Sequence, residues 1–389
     1  KRQSLSRSTL RTEADAPLPF WPITLMVAWY PLWFVLGLSG FMWVVFSLPM
    51  AASLVRRRGL VVPRGSGWWL AFLVAAAGSA LSLDTVSRIF GWGLRYGYYI
   101  GASVLLLYIL NGRQRGIDVF RVIRAYTILW MIAVVGGYLA FPLGDLSFRA
   151  PTFYVTPAAL RANDLIQAWL VPSFAQVQDI IGVPVPRPKA PFTYTNEWGS
   201  MMALLTPFAF MALYDRRVGF SPRLIRFVLA ASVLPSIVSL NRGLWLSLGI
   251  GLIYAAIRFG AAGERRLIMQ GLWATVALLV LLSVTPLGGL IATRINTGHS
   301  NEDRTSLAIS AVEGAIEKPV FGWGAPRPNE RNLPSVGTHS QLRFVTFSHG
   351  FLGAIGIVGT MHSLPRHTTR QPSTAGIWAH TVIIIGIVQ

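Results

Sequence analysis

The chain of 389 residues carries 53% hydrophobic and only 13% charged side chains, with Lys+Arg 34 against Asp+Glu 15, a formal charge of +19 and no cysteine. That composition excludes a disordered chain, a disulfide scaffold and a thiolate enzyme. The cations cluster in short segments between apolar runs, so they report membrane topology rather than a nucleic-acid surface.

The apolar runs do not alternate, so the expected class is an all-α, polytopic integral membrane protein and not a barrel. Residues 1–19, with Arg2, Arg7 and Arg11 and no small-residue cleavage site, read as a cytoplasmic tail. Residues 20–144 are expected to hold the first transmembrane helices. Phe20 to Val55 exceeds one crossing, and Gly37-Leu38-Ser39-Gly40 divides it. Gly67 to Leu83, Phe90 to Leu110 and Val122 to Pro142 follow, separated by the Asp84 to Arg88 turn and the basic loop of Arg113, Arg115, Arg121 and Arg124.

Residues 145–196 form a first extracytoplasmic loop. Within it, Ala162, Leu165, Ile166, Trp169 and Leu170 share a face of Ala158 to Val171, which predicts a helix along the membrane interface. The Pro-rich stretch Val183 to Pro191 then returns the chain to the bilayer at Thr193 to Glu197. Residues 197–291 supply Trp198 to Tyr214, Leu224 to Leu240, Leu244 to Ile257 and Leu267 to Leu287. Residues 292–346 form the second extracytoplasmic loop, and residues 347–389 add Phe347 to Val358 and Ile377 to Val388. The total is about eleven crossings by the usual length rule. A cytoplasmic N-terminus puts the basic loops at Arg56 to Arg58, Arg113 to Arg124, Arg216 to Arg226 and Arg258 to Arg266 on the inner side. Both long loops then face outward.

The second loop contains one helix legible from spacing. Asn301 caps it, Glu302 and Asp303 fill the first turn, and Leu307, Ala308, Ala311, Val312, Ala315 and Ile316 make the stripe. Pro319, Gly322 and Gly324 close it. Arg304 falls within the apolar stripe, while Glu302, Ser306, Ser310, Glu313 and Glu317 take the opposite face.

Arg242, in the turn Ser239-Leu240-Asn241-Arg242-Gly243, emerges on the outer side against the orientation bias. His339 lies just before the chain re-enters the membrane. Two arginines can fork onto pyrophosphate oxygens, and an imidazole with an ordinary pKa of about 6.5 can take a proton from a hydroxyl. The alternatives are snorkelling arginines at helix ends and a structural histidine. His299, His349, His362, His367 and His380 read as structural.

No Asp-x-Asp pair, no zinc or di-iron ligand spacing and no Walker motif occurs, so neither a metal nor a cofactor is expected. A lipid-pyrophosphate donor needs neither, because its leaving group is good and arginines can neutralise the developing charge.

Four segments in order resemble the O-antigen ligase and O-antigen polymerase superfamily of bacterial envelope glycosyltransferases. They are Phe192-Thr193-Tyr194-Thr195-Asn196; Ser239-Leu240-Asn241-Arg242-Gly243; Arg304 followed by Pro319-Val320-Phe321-Gly322-Trp323-Gly324; and His339-Ser340-Gln341-Leu342 with Gly350 beyond. The resemblance implies a GT-C-like fold in the bacterial cytoplasmic membrane. It also implies metal-independent transfer of a glycan from undecaprenyl pyrophosphate to an acceptor hydroxyl on the outer face. Arg242 and Arg304 would hold the pyrophosphate, His339 would act on the acceptor hydroxyl, and Asn196, Asn241 and Gln341 would be further substrate-binding positions. The implied partners are the polyprenyl-pyrophosphate-linked glycan, a glycan or lipid-glycan acceptor and membrane lipids, with no nucleic acid. The chain departs from the pattern at Ser340, where the family often has asparagine, and at Ser348-His349, which replaces an acidic residue. The polar segment Thr360 to Gln371 implies that the family's final helices are missing or rearranged. A polymerase using the same donor and a flippase for lipid-linked sugars are the rival expectations.

Overall fold

The computed structural model describes residues 17–57, 59–161, 163–179, 182–296, 300–327, 341–369 and 372–389, without the side chains of 159 and 300–308. The described chain is mostly helical. Among these residues five helices are long and apolar enough to cross a membrane: Val86–Gly112, Val119–Leu143, Arg242–Ala261, Arg265–Val284 and Gln341–Thr368. Met42–Val55, Ser66–Ser82 and Thr374–Val388 are apolar but shorter. The Arg265–Val284 helix has a mean hydropathy of 2.2 and no buried residue. Such a helix is stable only where the surrounding solvent is itself apolar.

The chain divides into two compact units. One comprises residues 17–46, 112–297 and 369–389 of the described chain. Its centre is the Val119–Leu143 helix, opened by the Asp118 side chain accepting from the Phe120 amide. Ala133, Gly136, Gly137 and Ala140 line its buried face, and a Cβ at Gly137 would meet both Pro235 and Trp198. Small residues let helix backbones approach where the hydrophobic effect is weak. The Thr195–Tyr214 helix is fixed there by the Trp198 indole, which donates to the Ala133 carbonyl at 3.0 Å. Ser373 caps the Thr374–Val388 helix, which packs on Thr195–Tyr214 through stacked Phe210 and Trp378, 4.4 Å between ring centres. His380 meets the Tyr254 hydroxyl at 2.5 Å.

Two elements of this unit differ from the sequence expectation. Ala158 to Val171 is not one helix: Ala158–Arg161 ends, and Asn163 caps a new helix, Asp164–Leu170, that buries Ile166, Trp169 and Leu170. The Pro-rich return is a strand, Pro184–Pro188, paired antiparallel with Ala175–Asp179. Prolines at 184, 186 and 188 have no N–H to offer, which helps limit the sheet to two strands.

The other unit comprises residues 47–111 and 298–368 in its described part. Here Gln341–Thr368 packs along Ser66–Gly78 around Phe72, Phe344, Val345 and Ile357. The long helix breaks at Gly350 (φ 66°, ψ −171°). The freed backbone groups are paired by the turn after the Ser300–Glu317 helix. Trp323 N donates to Phe347 O (3.0 Å), Gly324 N to Ser348 O (2.7 Å) and Phe351 N to Pro319 O (2.8 Å). A break inside an apolar core is tolerated only when such partners exist. The Ser300–Glu317 helix forms where the spacing predicts it and stops before Pro319, but it buries Ala311, Gly314 and Ala315 while Val312 and Ile316 stay exposed. Gly314 explains the rotation, since the Phe347 ring occupies the place its Cβ would take.

Gly350→Ala is expected to lower stability by about 1–3 kcal/mol from backbone strain alone, and by more in total because the added Cβ would also lie 2.5 Å from the Val320 carbonyl oxygen. Gly249→Ala, which enters open space in a helix, is the control and should be neutral or stabilising in detergent-solubilised thermal unfolding. The chain has no cysteine of its own, so Trp273→Cys can be labelled alone. In reconstituted vesicles a charged maleimide should fail to reach it; rapid labelling would contradict membrane insertion of Arg265–Val284.

Candidate anion site at the Ser239 to Arg242 turn

The Pro222–Val238 helix ends at Ser239, and Arg242–Ala261 begins three residues later. The turn is made by Leu240 at φ 50°, a left-handed conformation that non-glycine residues rarely adopt. Burial of the Leu240 side chain fixes it there. Asn241 then caps the new helix, accepting from Leu244 N at 3.0 Å. Its Nδ2 points to Thr195 O at 3.4 Å and Asn196 Oδ1 at 3.5 Å. Gly199 makes this approach possible, since a Cβ there would overlap the Asn241 amide.

The carbonyls at the end of a helix need donors, and here arginines supply them. Arg187 Nε donates to Ser239 O at 2.7 Å, and Arg294 Nε donates to Leu240 O at 3.2 Å. Arg187 comes from the hairpin, where it stands opposite Gln176, and its Nη1 donates to Gln178 Oε1 at 2.5 Å. It is 7% exposed. Burial first, and then the charge of Arg294, push its pKa down to about 10. The group is still a cation at neutral pH. The ion pairs among the described residues are Arg88 and Arg327 with Asp84, and Arg217 with Asp215, so Arg187 has no carboxylate partner there. Burial lowers the pKa of neighbouring Lys189 as well. A buried guanidinium beside a second one, with Nη2 of Arg187 making no hydrogen bond among the described residues, is an arrangement that an oxyanion stabilises.

Of the residues singled out by sequence, the structure brings Asn196, Asn241 and half-buried Arg242 together at this turn. Gln341 is the exposed first residue of Gln341–Thr368, hydrogen-bonded to Tyr99. His339 and the Arg304 side chain lie outside the described residues. No cluster of metal-ligating side chains occurs among the described residues.

Sequence reasoning missed Arg187, whose only signal was an arginine inside a Pro-alternating loop. It also set His349 aside. That ring is 1% exposed and its Nδ1 lies 3.0 Å from Ser79 Oγ, whose single hydrogen goes to Ala76 O at 2.7 Å. Nδ1 is therefore the donor, and Nε2 is a buried lone pair with no hydrogen-bond partner among the described residues. Arg95 lies over Phe344, 4.5 Å from its ring centre, and Phe344 in turn meets the His349 ring edge-on.

Comparison with family models, curated proteins and solved structures finds no match to this chain.

Ser79→Ala should strand the His349 Nδ1–H in an apolar core and cost about 1–3 kcal/mol. Asn241→Ala should cost about 1 kcal/mol through the lost cap. Thermal unfolding of the two variants and the double mutant measures both, with additive losses expected because each lies within its own hydrogen-bond network.

Proposed function

We propose that this chain is an integral-membrane glycosyltransferase that moves a glycan from a polyprenyl pyrophosphate, of the undecaprenyl kind, to an acceptor hydroxyl. The reaction takes place at the outer face of a bacterial cytoplasmic membrane, as in the O-antigen ligases its motifs resemble. In this reading the chain crosses the membrane about eleven times in a GT-C-like arrangement. The acceptor is a glycan or lipid-glycan. The observation that carries the reading is the buried Arg187 guanidinium beside Arg294 at the Ser239 to Arg242 turn, a place prepared for an oxyanion.

The chemistry follows from charge. The acceptor oxygen attacks the anomeric carbon, the bond from that carbon to the phosphate oxygen breaks, and the pyrophosphate departs with the electron pair. Arginines stabilise the leaving charge, with Arg242 and Arg304 the positions given by the motifs and Arg187 added by the geometry. His339 takes the acceptor proton.

The flippase reading is favoured by one observation, the broken Gln341–Thr368 helix with His349 buried at the break and Arg95 near it. The two readings separate on product: transfer makes a new glycosidic bond, while flipping leaves the lipid intact.

The test is the purified full chain in lipid, given a polyprenyl-pyrophosphate glycan and candidate acceptors in the presence of chelator. Glycosylated acceptor should appear, Arg187→Met should slow its formation by about 10²-fold, and His339→Ala should abolish it while donor binding persists. Intact lipid moved across the bilayer, or normal turnover by His339→Ala, would contradict the mechanism.

A further inference from the structure

Within the unit holding residues 47–111 and 298–368, an open groove of about 480 Å³ runs beside the Ser66–Gly78 helix. Its lining is apolar: Leu70, Val74 and Ala77 from that helix, Tyr96 and Ile100 from Val86–Gly112, and Phe321 closing one end. Gly78 creates that end, since the Phe321 ring fills the space a Cβ would need. Leu70 and Val74 are 61% and 55% exposed, so the groove opens where apolar solvent must lie.

Beyond Gly78 the surface changes character within one short turn, the 3₁₀ segment Ser79–Ser82. Lys318, three residues before Phe321, reaches Ser82 Oγ at 3.3 Å and lies 4.2 Å from the Trp323 ring centre. Arg327 stacks on the same ring at 3.7 Å and pairs with Asp84 at 2.7 Å. Arg88 also pairs with Asp84 and donates to Trp323 O at 2.6 Å and Ala325 O at 3.1 Å. Arg88 and Arg327 therefore share one carboxylate, and Lys318 beside them has no carboxylate partner among the described residues. Glu317, adjacent to Lys318 in sequence, makes no ion pair with it among the described residues. At four residues of about 2.0 Å rise each, the Ser79–Ser82 segment puts the cations roughly 8 Å past the apolar end.

We propose that this groove holds one acyl chain of an anionic phospholipid, with the phosphate at Lys318 and Arg327. The uncompensated charge selects the headgroup. A zwitterionic lipid would bring its own cation against Arg88 and Arg327, whereas a net negative lipid completes the cluster.

The experiment is native mass spectrometry of the full chain in detergent, with phosphatidylglycerol and phosphatidylcholine of identical acyl chains at equal concentration. Phosphatidylglycerol should be retained about fivefold or more over phosphatidylcholine. Lys318→Glu should erase that preference. Ala77→Trp, which fills the groove from an exposed position, should reduce retention of both lipids. Equal retention by the wild type, or a preference that survives Lys318→Glu, would overturn the proposal. A third arm adds polyprenyl phosphate. If it displaces phosphatidylglycerol from the wild type at equal concentration, the groove belongs to an isoprenoid and the phospholipid assignment fails.

Discussion

Two carbonyls at the end of the Pro222–Val238 helix, Ser239 O and Leu240 O, are held by arginine side chains from distant parts of the chain. The contact follows from a simple constraint: terminal carbonyls cannot remain bare where water is scarce, and guanidinium N–H groups reach them without a backbone partner. Satisfying them this way gathers positive charge. Arg187 is buried beside Arg294, and its pKa is lowered by burial first and by the charge of Arg294 second. The same interaction that finishes the helix is the basis of the proposed anion site, and Asn196, Asn241 and Arg242 lie at the same turn.

A second device, at Gly350, works on the same rule. The Gln341–Thr368 helix gives up its internal pairing at one glycine, and the backbone of the Pro319 to Gly324 turn takes over. What emerges is a kinked element with Ser348 and His349 buried at the kink, held between the turn on one side and Phe72 and Tyr99 on the other. The glycines Gly314, Gly322 and Gly324 serve packing at this point, because each would clash with a neighbouring ring, side chain or backbone if it carried a Cβ.

Much of the helical framework was legible because it depends on local signals. The Gly37 to Gly40 turn separates Tyr30–Leu36 from Met42–Val55, and the Asn301 to Pro319 pattern yields the Ser300–Glu317 helix. The hairpin was illegible because alternating prolines erase the usual strand signature, and only pairing with Ala175–Asp179 makes it a strand. Arg187 was invisible for the same reason, since its environment is created by that pairing. The rotated face of the Ser300–Glu317 helix was also beyond reach, because periodicity weighs Val312 and Ile316 above Gly314, while the Phe347 ring chooses the smaller residue. His349 looked structural in sequence because its bare Nε2 depends on the Ser79 hydroxyl being already spent on Ala76.

The central claim is that the Ser239 to Arg242 turn is an anion site, and calorimetric titration of inorganic pyrophosphate into the full chain tests it most directly. Binding that weakens at least tenfold in Arg187→Met, while the variant unfolds cooperatively, is the result expected. No binding by the wild type, or equal binding by Arg187→Met, would contradict the account.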